Sequence, residues 1–390
     1  MKQEPIRVLQ IVGRMDRGGI ETMIMNLYRH IDREKVQFDF LAHYGREAVY
    51  NDEIRALGGR IYEMPALKDE THVYYWRLFS YIRALHKFFK EHREYKVIHG
   101  HMTNTASIYM PIAKKYGVTC RISHSHNTHA KAGHLGVVTD FLQKSIYRHA
   151  TDLFACSEAA KHWFYSDDLI KNGNIHILAN AVDAERFRFR PEKRAQMRKE
   201  LNLDGKLVII CVARFRPEKN QTFLIDILKE MLKERQDVVF VFAGEGPCEE
   251  EVKAKAKEYG IQEYTRFLGM RTDVPDLLQA SDAFVLPSLW EGLPVTAIEA
   301  QASGLHCVVS EGLTEEMNAL GMVKYVSLEE TPAVWATALI EAATMPRHDT
   351  YDQTISSGFD INTTTPWLQN FYLNKHNQQL SENNNQPCTK

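Results

Sequence analysis

The chain has 390 residues, a net charge of −2, an apolar fraction of 44% and six scattered cysteines. Because a single hydrophobic core stops growing at roughly 250 to 300 residues, this length predicts two domains. The near-neutral charge argues against nucleic acid as a partner, the lack of a long apolar run argues against a membrane-spanning helix, and the cysteine spacing indicates neither a disulfide framework nor a cysteine-ligated zinc site.

The first half of the chain alternates short β-rich apolar runs with longer stretches of helical periodicity, which is the pattern of βαβ units and a parallel sheet. We therefore expect an α/β domain over 1–182. Predicted strands are Arg7–Val12, Phe38–His43, Arg60–Met64, Val97–His101, Cys120–His124, Leu153–Cys156 and His176–Leu178. Predicted helices include Ile20–Ile31, Trp76–Glu91 and Thr105–Tyr116.

The second half begins a new alternation at KLVIICVARF, and VVFVFAG, RFLGM, AFVLPS and HCVVSEG follow as further strands. These strands predict a second α/β domain over 183–350. We place the boundary near Asp183, because the NAVD turn and the charged, proline-containing stretch after it are typical of a linker.

The end of the chain is less regular. The segment 351–376 includes Trp367, Phe371 and Tyr372 at helical spacing. These three aromatic residues need an apolar surface to pack on, and the first domain is one candidate. The polar sequence that follows cannot bury enough surface to order itself, so we expect a disordered tail over 377–390.

Two turns at the carboxyl ends of predicted strands carry residues suited to an anionic ligand. Gly18 and Gly19 let the backbone approach a ligand closely, although the pattern is not GxGxxG and a flexible turn is the alternative. Arg214 and Lys219 follow the first strand of the second domain. One guanidinium and one ammonium can neutralise a diphosphate there, with solvated loop charges as the alternative.

The most informative segment is AFVLPSLWEGLPVTAIEAQASG, in which a buried strand leads through a turn into a helix. Glu291 and Glu299 flank the helix start, where the backbone N–H groups of Gly292 and Leu293 and the helix dipole favour an anion. The Glu299 carboxylate can accept hydrogen bonds from a ribose diol. An ordinary acid on a helix surface is the alternative.

These features together resemble the retaining GT-B glycosyltransferases of family four that act in bacterial surface-polysaccharide synthesis. Glu291 and Glu299, separated by seven residues, match the family's Glu-x7-Glu motif, and ARFRPEKN resembles its basic motif. The likeness covers nearly the whole chain, through VIHGH, SHSHN, NAVD, FAGEGP and RFLGMRTDVPDLLQASDAFVLPS. It implies two Rossmann-like domains whose parallel sheets face across a central cleft.

The resemblance also implies a reaction and a donor site. A hexose-type sugar would move, with retention, from a nucleoside-diphosphate sugar to a glycan or lipid-linked acceptor, and a UDP-sugar is favoured over a GDP-sugar. Glu299 would bind the ribose, Glu291 the transferred sugar, and Arg214 and Lys219 the diphosphate. The donor is a substrate, so no cofactor is expected, and the lack of an Asp-x-Asp triplet predicts metal-independent chemistry.

Further positions carry implied roles. The Gly18-Gly19 turn would contribute to the donor site from the first, acceptor-side domain. His126 would lie near the donor sugar, with His124 as the competitor for that role. The base would be recognised near Gly269 and Arg271.

Three alternatives stay open. Histidines 99, 101, 124, 126 and 129 can be interpreted as a metal cluster of a hydrolase, although the carboxylate that usually completes such a site is missing nearby. A sugar-nucleotide epimerase or a phosphorylase of the same fold is the second alternative. A sugar-nucleotide binder without catalytic activity is the third.

The stretch THVYYWRLFSYIRALHKFFKEHREYK combines aromatic and basic residues. One interpretation is an amphipathic surface that gives a cytoplasmic protein peripheral contact with the inner membrane. The other is a helix that packs its apolar face on its own sheet and leaves the basic residues in water. The apolar residues of that packing would be Leu78, Ile82, Leu85 and Phe89, and the basic ones Arg77, Arg83, Lys87, Lys90 and Arg93.

Overall fold

The computed structural model describes residues 4–16, 18–43, 47–65, 75–126, 145–173 and 175–384. The chain forms two compact units, the first comprising Met1–Ala179 with Ile361–Lys390 and the second Asn180–Asp360. The second unit thus begins at Asn180, ahead of the predicted boundary. The reason is that the NAVD turn is held by the second unit, where the Val182 N–H donates to the carbonyl of Phe359 and the Asn180 amide to that of Leu293.

A seven-stranded parallel sheet forms the centre of the first unit, in the order β3-β2-β1-β4-β5-β6-β7. All seven strands predicted for this half are present, within a few residues of their predicted ends. The strands are β1 Ile6–Val12, β2 Val36–Ala42, β3 Ile61–Glu63, β4 Val97–Gly100, β5 Cys120–Ser125, β6 Asp152–Ala155 and β7 Ile175–Ile177.

Helices connect these strands, as the alternation predicts. They are α1 Gly19–His30, α2 Asn51–Ala56, α3 Leu78–Glu91, α4 Thr103–Lys115, α5 Glu158–Phe164 and α6 Asp167–Asn172. The register at the sheet centre brings polar residues of neighbouring strands level with one another, because Gln10 of β1 pairs with His99 of β4. His99 in turn pairs with Ile122 of β5.

The second unit has a six-stranded parallel sheet in the order β10-β9-β8-β11-β12-β13. Its strands are β8 Leu207–Val212, β9 Val238–Ala243, β10 Thr265–Phe267, β11 Ala283–Leu286, β12 His306–Ser310 and β13 Val323–Val326. Its helices are α7 Ala184–Phe187, α8 Pro191–Glu200, α9 Gln221–Met231, α10 Glu249–Glu258, α11 Val274–Ala280, α12 Val295–Ala302, α13 Pro332–Thr344 and α14 Tyr351–Ser356. Two parallel sheets in two units confirm the predicted fold class.

The last helix, α15 Ile361–Asn384, belongs to the first unit, whereas 351–360 belong to the second. It contacts α1, β1, β2 and β4, and it buries Leu368 and Tyr372 completely. Residues 377–384, placed in a disordered tail from composition, continue this helix, because neither glycine nor proline occurs between Pro366 within the helix and Pro387 beyond it. Residues 385–390 lie outside the described residues.

Candidate active site

Lys219 and Glu291 meet in the second unit, although 72 positions separate them. Each follows a strand, β8 or β11, and those strands are neighbours in the sheet, so their carboxyl-end loops adjoin. The Lys219 ammonium donates to Glu291 Oε1, and Ser288 Oγ donates to the same oxygen over 2.7 Å. The Leu289 N–H also donates to the carbonyl of Glu218 over 2.8 Å, which joins the two loops through their backbones.

Glu299 lies on α12, and seven of the eight residues of this helix are buried because VTAIEAQA is apolar on nearly every side. Glu299 itself is 8% exposed. Burial raises the pKa of its carboxyl from 4.5 to about 7, and the positive charge of Arg186 opposes that rise. The site therefore holds an acid that exchanges its proton near neutral pH.

The helix start lies slightly later than the sequence interpretation placed it. Pro294 is the N-cap of α12, and Val295 is its first residue. Gly292 and Leu293, expected at the helix N-terminus, precede the cap, since the helical conformation is disfavoured for a residue directly before proline. The Leu293 side chain is buried, and its carbonyl accepts a hydrogen bond from the Asn180 amide.

The FAGEGP segment joins the loops after β8 and β9. A Cβ on Gly246 would lie 2.2 Å from the carbonyl oxygen of Phe215, and one on Gly244 would lie 2.1 Å from that of Ala213. The N–H of Gly244 donates to the carbonyl of Gly269, which has a left-handed φ of +64°. These glycines allow a backbone approach that any side chain would block.

The two remaining predicted residues of this unit differ in their surroundings. Arg214 is exposed, and within the described part of the chain its guanidinium forms no ion pair. Its carbonyl accepts a hydrogen bond from the Gln221 amide over 2.9 Å. Arg271 forms two hydrogen bonds to Asp273, of 2.7 and 2.5 Å, so its guanidinium is already engaged.

In the first unit, Gly18 is the N-cap of α1 and Gly19 its first residue. Gly18 is buried, and its carbonyl accepts a hydrogen bond from the N–H of Thr22. Gly19 is exposed, and a Cβ there would meet nothing within 4 Å. Packing among the described residues therefore does not require glycine at position 19.

Four histidines gather at the carboxyl ends of β4 and β5. His99 Nε2 lies 3.0 Å from His124 Nδ1, and His101 Nδ1 lies 2.9 Å from His126 Nε2. His124 and His126 point to the same face, as strand alternation predicts, and their ring centroids are 3.9 Å apart. His124 is fully buried whereas His126 is partly exposed.

Among the described residues, the ring nitrogens of His99, His101 and His124 lie within 4.8 Å of one another and could hold a metal ion. This group contains no carboxylate. The two close contacts between strands have hydrogen-bond distances, and burial lowers the pKa of all four rings, that of His99 and of His126 to about 3. Neutral, mutually hydrogen-bonded imidazoles therefore account for the arrangement. His129, part of the predicted cluster, lies outside the described residues.

Helix α3 has one packed face and one exposed face. Tyr81, Leu85, Phe88 and Phe89 are buried. Phe79, 84% exposed, shares the opposite face with the exposed basic residues. Those basic residues are Arg83, Lys87 and Lys90. In the part of the chain that the structure describes, no helix combines the length and the apolar character needed to cross a membrane.

Two residues near the site were missed by sequence reasoning. Ser288 follows the strand of the main motif by two residues, so its position next to a loop carboxylate was a usable signal. Arg186 lies in what was interpreted as linker, and its guanidinium donates to the carbonyl of Thr272 over 3.1 Å. Nothing local marks Arg186 as a neighbour of Glu299, because the two meet only through the fold.

Comparison with known proteins identifies both halves of the chain. Residues 17–186 match the model described as Glycosyltransferase Family 4, and residues 192–354 match the model described as Glycosyl transferases group 1. The chain is 33% identical over 382 residues to the putative glycosyltransferase EpsF of Bacillus subtilis strain 168, covering 95% of this chain and 97% of that protein.

Two other relatives have more specific names. One is CapH of Staphylococcus aureus, a capsular polysaccharide biosynthesis glycosyltransferase, 26% identical over 95% of this chain and 99% of that protein. The other is the UDP-Gal:alpha-D-GlcNAc-diphosphoundecaprenol alpha-1,3-galactosyltransferase of Escherichia coli, 30% identical over 58% of this chain and 60% of that protein.

Among solved structures, the Anabaena protein HepE in complex with UDP and glucose matches with a TM-score of 0.75 and 17% identity, over 94% of this chain and 99% of that one. Identity this low bears on the fold alone, and that fold is GT-B.

Proposed function

The chain belongs to the family-four, group 1 glycosyltransferases, and we propose that it moves a hexose-type sugar from a UDP-sugar to a lipid-linked or glycan acceptor in surface-polysaccharide synthesis. Transfer keeps the anomeric configuration and needs no metal ion. The observation that carries the proposal is the group formed by Lys219, Ser288 and Glu291 at the carboxyl edge of the second sheet, in the same unit as the buried Glu299. The named relatives support the sugar-nucleotide donor and the polysaccharide context.

Lys219 and Arg214 have the charge that the departing diphosphate requires. As the sugar leaves, negative charge grows on the phosphate oxygens, and fixed cations that are already in place stabilise it. Removing one such preorganised group costs roughly 3 to 4 kcal/mol in the transition state. Arg214, with no ion-pair partner among the described residues, can turn to the phosphate without breaking an existing pair.

Glu291 has a different role in the proposed donor complex. Its carboxylate is held by the Lys219 ammonium and the Ser288 hydroxyl, so its position is set before any ligand arrives. A carboxylate held in this way can accept hydrogen bonds from the hydroxyls of the transferred sugar. In the proposed complex Lys219 lies between an acid and a phosphate, which couples the placement of the sugar to that of the leaving group.

The remaining assignments complete the donor. Glu299 accepts hydrogen bonds from the ribose hydroxyls, which favour its ionised form. The loop containing Gly269 and Arg271 contacts the base through backbone groups. His126 and the Gly18-Gly19 turn belong to the first unit, and their roles toward the donor stay predictions of the family resemblance.

The acceptor side of the proposal rests on α3. A surface of anionic lipid suits Phe79, Trp76 and the three exposed basic residues of that helix. Trp76 is 71% exposed. Sedimentation with phosphatidylglycerol vesicles tests this contact. A Trp76→Ser, Phe79→Ser double variant is expected to lose binding, whereas Trp163→Ser, which changes an exposed aromatic elsewhere, is expected to keep it. Equal sedimentation of all three proteins would refute peripheral contact.

A thermal-shift screen of nucleotide sugars tests the donor. A ligand present at about a hundred times its dissociation constant stabilises the folded protein by about 2.7 kcal/mol. Stabilisation by a UDP-sugar, followed by transfer to a polyprenyl-diphosphate sugar, is the expected result. NMR of the first linkage formed then gives the anomer. An inverted product refutes retention, and release of an altered free sugar nucleotide indicates an epimerase instead.

A further inference from the structure

The four histidines of the first unit form two hydrogen-bonded branches. In one branch, the Tyr372 hydroxyl lies 2.6 Å from His99 Nδ1, and His99 Nε2 contacts His124 Nδ1. In the other, Gln10 Oε1 lies 2.9 Å from His101 Nε2, and His101 Nδ1 contacts His126 Nε2.

The two branches end on buried side chains. Gln10 is 1% exposed and Tyr372 is fully buried, so water does not compete for these bonds.

An amide oxygen only accepts hydrogen bonds, and this fixes the branch that ends at His126. His101 must carry its proton on Nε2, which leaves its Nδ1 as an acceptor. His126 must then carry its proton on Nε2, and its Nδ1 keeps a lone pair. Among the described residues, this buried Nδ1 has no hydrogen-bond partner.

The branch that ends at His124 runs the other way. Among the described residues, His99 Nδ1 is the hydrogen-bond partner of the Tyr372 hydroxyl, so the phenol proton goes to that nitrogen. His99 then donates from Nε2 to His124 Nδ1, and His124 keeps its proton on Nε2. Within the described residues, that Nε2 also lacks a partner.

We propose that Gln10 and Tyr372 are positioning residues that set the tautomers of the histidine pair at the end of β5, so that His124 presents a donor and His126 an acceptor. The pair suits a hydroxyl group, which both donates and accepts. The direction of the branch that ends at His126 follows from the Gln10 amide, whose oxygen faces His101. With Gln10 Oε1 on His101, all four histidines are neutral Nε2–H tautomers.

Helix α15 thereby acquires a role beyond packing, since it supplies Tyr372 from 273 positions away. The tautomers themselves are a property of the protein without ligand.

Long-range ¹H–¹⁵N NMR of the histidine side chains tests the proposal directly, because it distinguishes Nδ1–H, Nε2–H and imidazolium forms. The wild-type protein is expected to show Nε2–H for all four residues. Tyr372→Phe removes the hydroxyl that His99 depends on, so His99 and His124 are expected to change while His101 and His126 stay the same. Phe371→Leu, a packing change one residue away, is expected to alter none of the four.

Two results would overturn the proposal: different tautomers among the four rings of the wild type, or an unchanged His99 in Tyr372→Phe.

Discussion

Replacing Glu299 with Gln should make the protein more resistant to unfolding at alkaline pH, at the expense of the donor site. Burial raises the Glu299 pKa from 4.5 to about 7. Between these values the folded protein keeps a proton that the unfolded chain has released, so the free energy of unfolding falls as pH rises. Glutamine has nearly the same shape and no such proton.

The size of the effect depends on the shift. The difference between a pKa of 4.5 in the unfolded chain and about 7 in the folded protein corresponds to about 3 kcal/mol of stability, at roughly 1.4 kcal/mol for each pKa unit. This stability is fully present below the unfolded pKa and is lost as pH rises through the folded pKa. Most of the loss should fall between about pH 5 and about pH 8.

Urea unfolding of wild type and of Glu299→Gln at those two pH values measures this loss of stability. From the lower pH to the higher, the free energy of unfolding of wild type should fall by about 2 to 3 kcal/mol relative to the variant. Glu330→Gln, which changes an exposed acid of the same unit, serves as control and should follow wild type. A constant difference between wild type and Glu299→Gln would refute the buried, proton-exchanging carboxyl.

The same carboxyl couples donor binding to pH. Ribose hydroxyls donate to the ionised form, so UDP should bind wild type more tightly as pH rises through about 7. The variant should bind more weakly and without this dependence, and calorimetry in two buffers would show proton release on binding only in wild type.

Three other predictions concern the donor site and its scaffold. Lys219→Met should lower kcat/KM for transfer about a hundredfold or more. Lys253→Met, at a surface ion pair, should leave kcat/KM unchanged, and equal rates in the two variants would exclude a role for Lys219 in binding the diphosphate. Gly19→Ala should leave the melting temperature unchanged, since its Cβ has open space, and a lowered melting temperature would contradict that open space. Gly246→Ala should destabilise the protein by about 1 to 3 kcal/mol, because its Cβ would strike the Phe215 carbonyl, and an unshifted urea midpoint would contradict that contact.

The order of helices and strands could be predicted because it depends on local periodicity. VVFVFA and AFVL are apolar at every position, which identifies buried strands of a parallel sheet. The segment with Glu291 and Glu299 was recognisable for the same reason, since strand, turn and helix are consecutive in the chain. The predicted disordered tail differs from the structure in its first eight residues, 377–384, which extend a helix anchored upstream. Composition measures only how much surface a segment can bury by itself.

The sequence by itself determined the two α/β units, the family, and the residue types available to bind a diphosphate and a sugar. Only the tertiary structure decided which of them meet. Lys219 reaches Glu291 because β8 and β11 are neighbours, and Tyr372 reaches His99 because α15 packs on the first sheet. Strand order and helix docking depend on contacts between distant positions, and so do the burial that raises the Glu299 pKa and the hydrogen bonds that orient the histidines.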